Sequence, residues 1–134
     1  MSAYITSMCI VSPQSRYTGV EDNWLNEALI YNSKLLKCIE PDYKELMSPA
    51  QLRRLPRILK IGLYTALNCI NKSGNPDAII IGTGSGCLEE LEKFMLQVLD
   101  CKDEILSPAS FILSTSNIIG SQIAMVTEKI SARP

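Results

Sequence analysis

The chain is expected to be an α/β protein, and two observations carry that expectation. In the run Asp77-Ala-Ile-Ile-Ile-Gly82, three consecutive β-branched residues are apolar without alternation, the pattern of a strand covered on both faces. The run then passes through Gly82, Gly84 and Gly86 straight into a helical pattern, so that a buried strand feeds a helix. Such strands belong to mostly parallel sheets flanked by helices. The 134 residues suit one domain, 1–134, and 46% hydrophobic residues supply a core. A chain of this size buries roughly two thirds of the surface it exposes when unfolded.

The elements follow in order. Residues Ala3 to Val11 are β-branched and apolar without helical periodicity, and Ser12-Pro13 stops them, so they form the expected first strand. Gln14 to Glu21 is polar and contains a glycine. Trp24 to Ile39 spaces Trp24, Leu25, Leu29, Leu35 and Leu36 as a short helix would, and Pro41 then interrupts any helix and starts an exposed connection. Ser48-Pro-Ala-Gln51 reads as a capping box, with Ser48 as N-cap, Pro49 at the first helical position and Gln51 reaching back. From there Leu52, Leu55, Leu59, Leu63, Ala66, Leu67 and Ile70 predict a long helix to about Asn71. Pro56 should bend its early part, and Ser73-Gly-Asn-Pro76 should end it. After the strand at Ile79–Ile81, a helix is expected from Cys87 to Leu99, then a polar loop from Cys101 to Glu104. Leu106 to Asn117 leads into a last apolar helix that begins near Asn117 and carries the small residues Gly120, Ser121 and Ala124.

Charge and composition exclude several functions. The net charge of −1 and a pI near 5.4 give no general attraction to nucleic acid or an anionic membrane. The N-terminal residues lack a basic region followed by a continuous apolar stretch, so neither secretion nor membrane spanning is expected and the cytoplasm is the expected compartment. Cys9, Cys38, Cys69, Cys87 and Cys101 are odd in number and far apart, with no Cys-x-x-Cys pair, which reads as thiols packed in the interior. There is no histidine, so the usual general base, the commonest zinc ligand and the centre of a hydrolytic triad are all missing. Asp42, Glu45, Asp100, Asp103 and Glu104 lie in polar stretches with no pairing implied by their spacing and read as surface. No metal and no cofactor is expected.

Two local features invite a functional reading. Gly82-x-Gly84-x-Gly86 matches neither phosphate-binding glycine pattern, no Lys follows, and Glu89, Glu90 and Glu92 in the next helix would repel an anion there. A tight turn with close strand-to-helix packing is the simpler reading. Arg53, Arg54, Arg57 and Lys60 concentrate positive charge on the early polar side of the long helix. That cluster reads first as a solvated face paired with Glu45 or with Glu89 to Glu92, and alternatively as a docking surface for an acidic partner.

Three stretches in order, Leu52-Arg-Arg-Leu-Pro-Arg-Ile-Leu-Lys-Ile-Gly-Leu-Tyr-Thr-Ala-Leu67, Asp77-Ala-Ile-Ile-Ile-Gly-Thr-Gly-Ser-Gly86, and Ser107-Pro-Ala-Ser-Phe111 through Asn117-Ile-Ile-Gly-Ser-Gln-Ile-Ala124, together resemble the N-terminal part of β-ketoacyl synthases. The nearest resemblance is to the ketosynthase-like, chain-length-factor-like proteins of aryl polyene and flexirubin-type pigment synthesis, with Met8-Cys-Ile-Val-Ser-Pro-Gln14 as the opening strand. The resemblance covers nearly the whole chain and implies the thiolase-like α/β architecture, here the N-terminal part of one βαβαβ half.

It also implies where chemistry would lie. In that family the stretch matching Phe111 to Pro134 is followed by the turn that bears the nucleophilic cysteine, which takes an acyl chain from an acyl carrier protein as a thioester. The resemblance therefore puts none of the catalytic residues in these 134 positions. Ser116 departs from the family, where many relatives carry His before the Asn that Asn117 matches. Cys87, at a helix N-terminus where a thiolate would be favoured, is a poor substitute nucleophile: three glutamates lie beside it and no base does. Packing is its expected role.

The resulting expectation is a ketosynthase-like subunit or fragment of fatty-acid or polyketide chain elongation that pairs with an active ketosynthase-like chain or with itself as a dimer. Phe111, Asn117, Ile118, Gly120, Ser121 and Gln122 would then face an interface or an acyl tunnel, and Arg53, Arg54, Arg57 and Lys60 would meet an acyl carrier protein. The alternatives are the N-terminal piece of an intact 3-oxoacyl-acyl-carrier-protein synthase performing decarboxylative Claisen condensation, and a small ligand-binding α/β module that uses the glycine bend. A thiolase-like half closes its sheet with strands that would come after Pro134, so an open edge and self-association are expected as well.

Overall fold

A computed structural model describes residues 2–13, 17–18, 32–100 and 106–131, with side chains up to 128 except at 17–18. The described chain is mostly helical. Two short strands, β1 (Cys9–Ile10) and β2 (Tyr17–Thr18), precede a 3-10 turn at Tyr43–Glu45. Five helices come next: α1 (Pro49–Arg54), α2 (Arg57–Ser73), α3 (Leu88–Asp100), α4 (Pro108–Ser114) and α5 (Ile118–Ser131).

This overturns the expected α/β thiolase-like fold. Among the described residues the only ladder is the antiparallel pair β1–β2, with Cys9 opposite Thr18 and Ile10 opposite Tyr17. Ile79, Ile80 and Ile81 form no strand, and Ile80 is 94% exposed. Apolar, β-branched composition marks a segment that can pack on a pleated surface, whereas a strand also needs neighbours to accept its backbone hydrogen bonds. Of the first strand expected over Ala3–Val11, only Cys9–Ile10 pairs. The helix expected over Trp24–Ile39 lies outside the described residues up to Tyr31, and 32–39 is not helical, with Leu35 exposed.

The helix starts and stops follow local chemistry. At Ser48 the capping box is closed: the Gln51 amide donates to Ser48 Oγ at 3.4 Å, and the Ser48 amide donates to Gln51 Oε1 at 2.9 Å. Pro56 divides the expected long helix outright, with Leu55 before it in an extended conformation at φ −88° and ψ 131°. Gly74, at φ +84°, ends α2, and its amide donates to the Ile70 carbonyl at 2.8 Å. α4 is an element the sequence reading passed over: Ser107-Pro108 opens it, but the Ser107 hydroxyl makes no capping hydrogen bond.

The chain divides into two compact units, Met1–Leu55 with Lys60–Pro76, and Pro56–Leu59 with Asp77–Pro134. In the first, Met47, Leu63, Tyr64, Leu67 and Ile70 are buried, and the Tyr43 ring meets Tyr64 edge-on at 5.8 Å. The Ser7 hydroxyl reaches the Cys69 carbonyl at 3.3 Å, and the Ile39 amide donates to the Ser12 carbonyl at 2.9 Å, tying extended chain to the rest of the unit. In the second, Leu59, Cys87, Ile118, Ile119 and Ile123 are buried, and α3 packs on α4 through the Phe94 and Phe111 rings at 5.6 Å. Leu59 and Leu63, fully buried, each contribute about 1.5–3 kcal/mol relative to exposure.

Candidate functional site

Within the second unit, the glycine bend and the start of α5 enclose an open pocket of about 700 Å³, lined by Ile79, Ile81, Gly82, Thr83, Ser116, Asn117, Gly120 and Ser121. Two glycines shape it. Gly86 lies at φ +57°, a conformation L-residues adopt with strain, and its amide donates to Thr83 Oγ1 at 2.9 Å. At Gly120 a Cβ would stand 3.3 Å from Ile81 Cγ1, so the absence of a side chain lets the isoleucine run approach α5. Gly82 and Gly84 have open space around them and a Cβ on Gly86 would meet only ordinary contacts, so the close packing expected at the bend is found instead at Gly120 on α5.

The isoleucine run takes part asymmetrically. Ile79 and Ile81 border the pocket at 37% and 38% exposure, whereas Ile80, between them, lies outside it. This alternation is that of an extended chain with one covered face. None of the three makes a backbone hydrogen bond among the described residues. The run thus presents unpaired amides and carbonyls beside a large exposed apolar side chain.

At the α5 start, Asn117 accepts at its carbonyl from the Ser121 amide at 3.1 Å and from Ser121 Oγ at 3.2 Å. Of the residues expected to line an interface or tunnel, Asn117, Gly120 and Ser121 border the pocket. Ile118 turns into the core, Gln122 is half-buried away from the lining, and Phe111 is exposed on α4 against Phe94. Thr83 and Ser116 are pocket residues that sequence reasoning did not single out for this role. The Ser/Thr content on both sides of the apolar runs was the available signal.

The positive residues are distributed over two helices. Arg53 and Arg54 close α1, where they complement the helix dipole, while Arg57 opens α2 and Lys60 follows one turn later, on the unfavourable end of theirs. Arg53, Arg54 and Lys60 make no ion pair among the described residues, so the expected pairing with Glu45 or with Glu89 to Glu92 is not formed by them. Glu89 and Glu90 instead hold Lys93, at 2.9 and 2.8 Å, and these hydrogen bonds, that of Glu90 foremost, raise the lysine above its usual range.

Cys87 is buried immediately before α3, and its carbonyl accepts from the Glu90 and Leu91 amides. Burial, and secondarily the Glu90 carboxylate, push its thiol pKa up, the opposite of what a nucleophile needs. Cys9, Cys38 and Cys69 are half-buried thiols, and Cys101 lies outside the described residues. Among the described residues no three Cys, Asp or Glu side chains gather as a metal site. No single described helix is long and apolar enough to cross a membrane, and the apolar pair α4–α5 is bent by 104° at its break.

No family model matches the chain, and no curated protein or solved structure was found to resemble it.

Proposed function

We propose that this chain acts by association, as a ketosynthase-like subunit or fragment that pairs with a second, ketosynthase-like chain or with itself. The observation that carries the reading is Ile80, 94% exposed in a run whose backbone is unpaired, within a unit that also exposes Leu88, Leu99, Phe111 and Ile112. Exposed large apolar side chains and extended backbone without partners among the described residues are features by which one chain recruits another. The resemblance in the Leu52–Leu67, Asp77–Gly86 and Ser107–Ala124 stretches supplies the class of partner, and the basic Arg53, Arg54 and Lys60 of the first unit are the residues offered to an acyl carrier protein.

The test is the mass of the natively expressed protein by sedimentation, alone and with a co-expressed ketosynthase-like chain. An assembly heavier than 14.8 kDa that loosens in Ile80→Asp supports association. A monomer at high concentration that forms no complex overturns it. For docking, unchanged affinity for acyl carrier protein on replacing Arg53, Arg54 and Lys60 by Glu removes that contact.

The pocket favours a second reading, a small-ligand site bounded by Thr83, Ser116, Asn117 and Ser121. Saturable binding of a small molecule by the isolated chain, lost in Gly120→Leu, would favour it over association.

A further inference from the structure

The surface least explained by the described packing is that of α3. Leu88, Leu91, Met95 and Leu99 recur at i, i+3, i+7 and i+11, which places them in one stripe along the helix, about 16 Å long. All are exposed, Leu99 to 75%, Leu88 to 59% and Met95 to 49%, and α3 has no buried residue. The turn of α3 that meets α4 carries Phe94, leaving the stripe uncovered among the described residues.

The charges beside the stripe say what kind of chain fits it. α3 carries four carboxylates, Glu89, Glu90, Glu92 and Asp100, against one ammonium, Lys93. Lys93 is held by Glu89 and Glu90, and Glu92 and Asp100 have no ion-pair partner among the described residues. Glu92 lies one turn beyond Leu88, and Asp100 one turn beyond Leu96, which is exposed beside the stripe, so both carboxylates stand along one edge of the apolar face. A second copy laid antiparallel, with Leu88 against Leu99, would bring like edges together and set Glu89 near Asp100 at each end, whereas a basic helix meets the same edge with opposite charge.

We infer that the α3 stripe docks a cationic amphipathic helix of a partner protein, its apolar face on Leu88, Leu91, Met95 and Leu99 and its Lys or Arg flank beside Glu92 and Asp100. This rests on the association reading and names the chemistry of the partner element. Helix-on-helix docking uses anchors spaced as these are, and a basic flank opposite an acidic one fixes orientation and speeds encounter.

The test uses the full chain and two synthetic helices with the same leucine face, one flanked by Lys and the other by Glu, followed by titration calorimetry. The Lys-flanked helix is expected to bind at least about tenfold tighter at low salt, with the gap narrowing as salt rises. Glu92→Lys with Asp100→Lys should reverse the preference, and Leu88→Asp with Leu99→Asp should abolish binding while far-UV circular dichroism stays unchanged. Equal binding of the two helices, or undiminished binding by the aspartate variant, overturns the inference. The mass of the co-expressed assembly separates this from the broader reading. Loss of the assembly in the Leu88→Asp, Leu99→Asp variant supports the α3 site. An assembly that survives that variant but fails in Ile80→Asp overturns the α3 site and leaves association standing, whereas a parent chain that never assembles overturns both.

Discussion

α2 and α3 are both amphipathic helices with leucine at helical spacing, yet the structure treats them in opposite ways. α2 buries Leu59, Leu63, Tyr64, Leu67 and Ile70, whereas α3 buries nothing and leaves Leu88, Met95, Leu96 and Leu99 in solvent. Their charge differs in the same sense: Arg57, Lys60 and Lys72 on α2, and four carboxylates on α3. An amphipathic pattern therefore states that a helix has a face to cover and leaves open what covers it. In α2 the cover is this chain itself. In α3 it is absent among the described residues, and apolar surface without a cover is the mark of an interaction site.

The largest test of this contrast is truncation of equivalent leucines. Leu63→Ala should lower unfolding stability in urea by about 2–5 kcal/mol, because a cavity opens in a covered core. Leu99→Ala should change it by less than about 0.5 kcal/mol. Comparable losses at the two sites would break the comparison and mean that α3 is covered in solution.

The next test concerns the glycines that bound the two helices. Gly74 ends α2 at φ +84° and Gly86 precedes α3 at φ +57°. Alanine at either should cost about 1–2 kcal/mol in thermal unfolding, as a left-handed conformation is strained for any L-residue. A Cβ on Gly74 would meet no atom within 4 Å and one on Gly86 only ordinary contacts with Ser116, so the cost is conformational at both.

A smaller effect separates the two Ser-Pro-Ala helix starts. Ser48→Ala should cost about 1 kcal/mol, since it opens the closed capping box of α1. Ser107→Ala should leave denaturant midpoints nearly unchanged, because that hydroxyl caps nothing. Equal effects would show that Ser107 caps α4 in solution.

The smallest is a pH effect at the start of α3. The Cys87 thiol has its pKa raised above the ordinary 9.0 by burial and then by Glu90, so the folded chain keeps this proton after the unfolded chain has lost it. Its stabilising contribution is complete below pH 9.0 and is lost as the pH rises further. The stability of Cys87→Ala should therefore fall less steeply above that pH than the parent's, and alkylation of Cys87 in the folded chain should keep accelerating there. A parallel slope would mean that the thiol is solvated.

What could be read in advance was local. The Ser48 capping box, the stop at Gly74 and the Leu59–Ile70 face all depend on residues within one or two turns, and each appears in the structure, whereas Pro56, expected only to bend one long helix, splits it in two. α4 had the same Ser-Pro-Ala opening as α1, but with seven residues and the consecutive apolar Phe111, Ile112 and Leu113 it showed no helical period to read. At the pocket, Asn117, Gly120 and Ser121 were legible as small or polar positions on an apolar helix. Thr83 and Ser116 become neighbours of those residues only when the bend folds onto α5.

The isoleucine run marks the limit. By itself the sequence determined that Ile79–Ile81 is apolar, β-branched and bounded by Pro76 and Gly82, and so able to extend. Only the tertiary structure decided that Ile79 and Ile81 meet α5 while Ile80 is left in solvent and no ladder forms. The physical reason is the range of the forces involved. Caps and helical hydrogen bonds close within a few residues, whereas a strand draws its hydrogen bonds and its cover from segments distant in the chain.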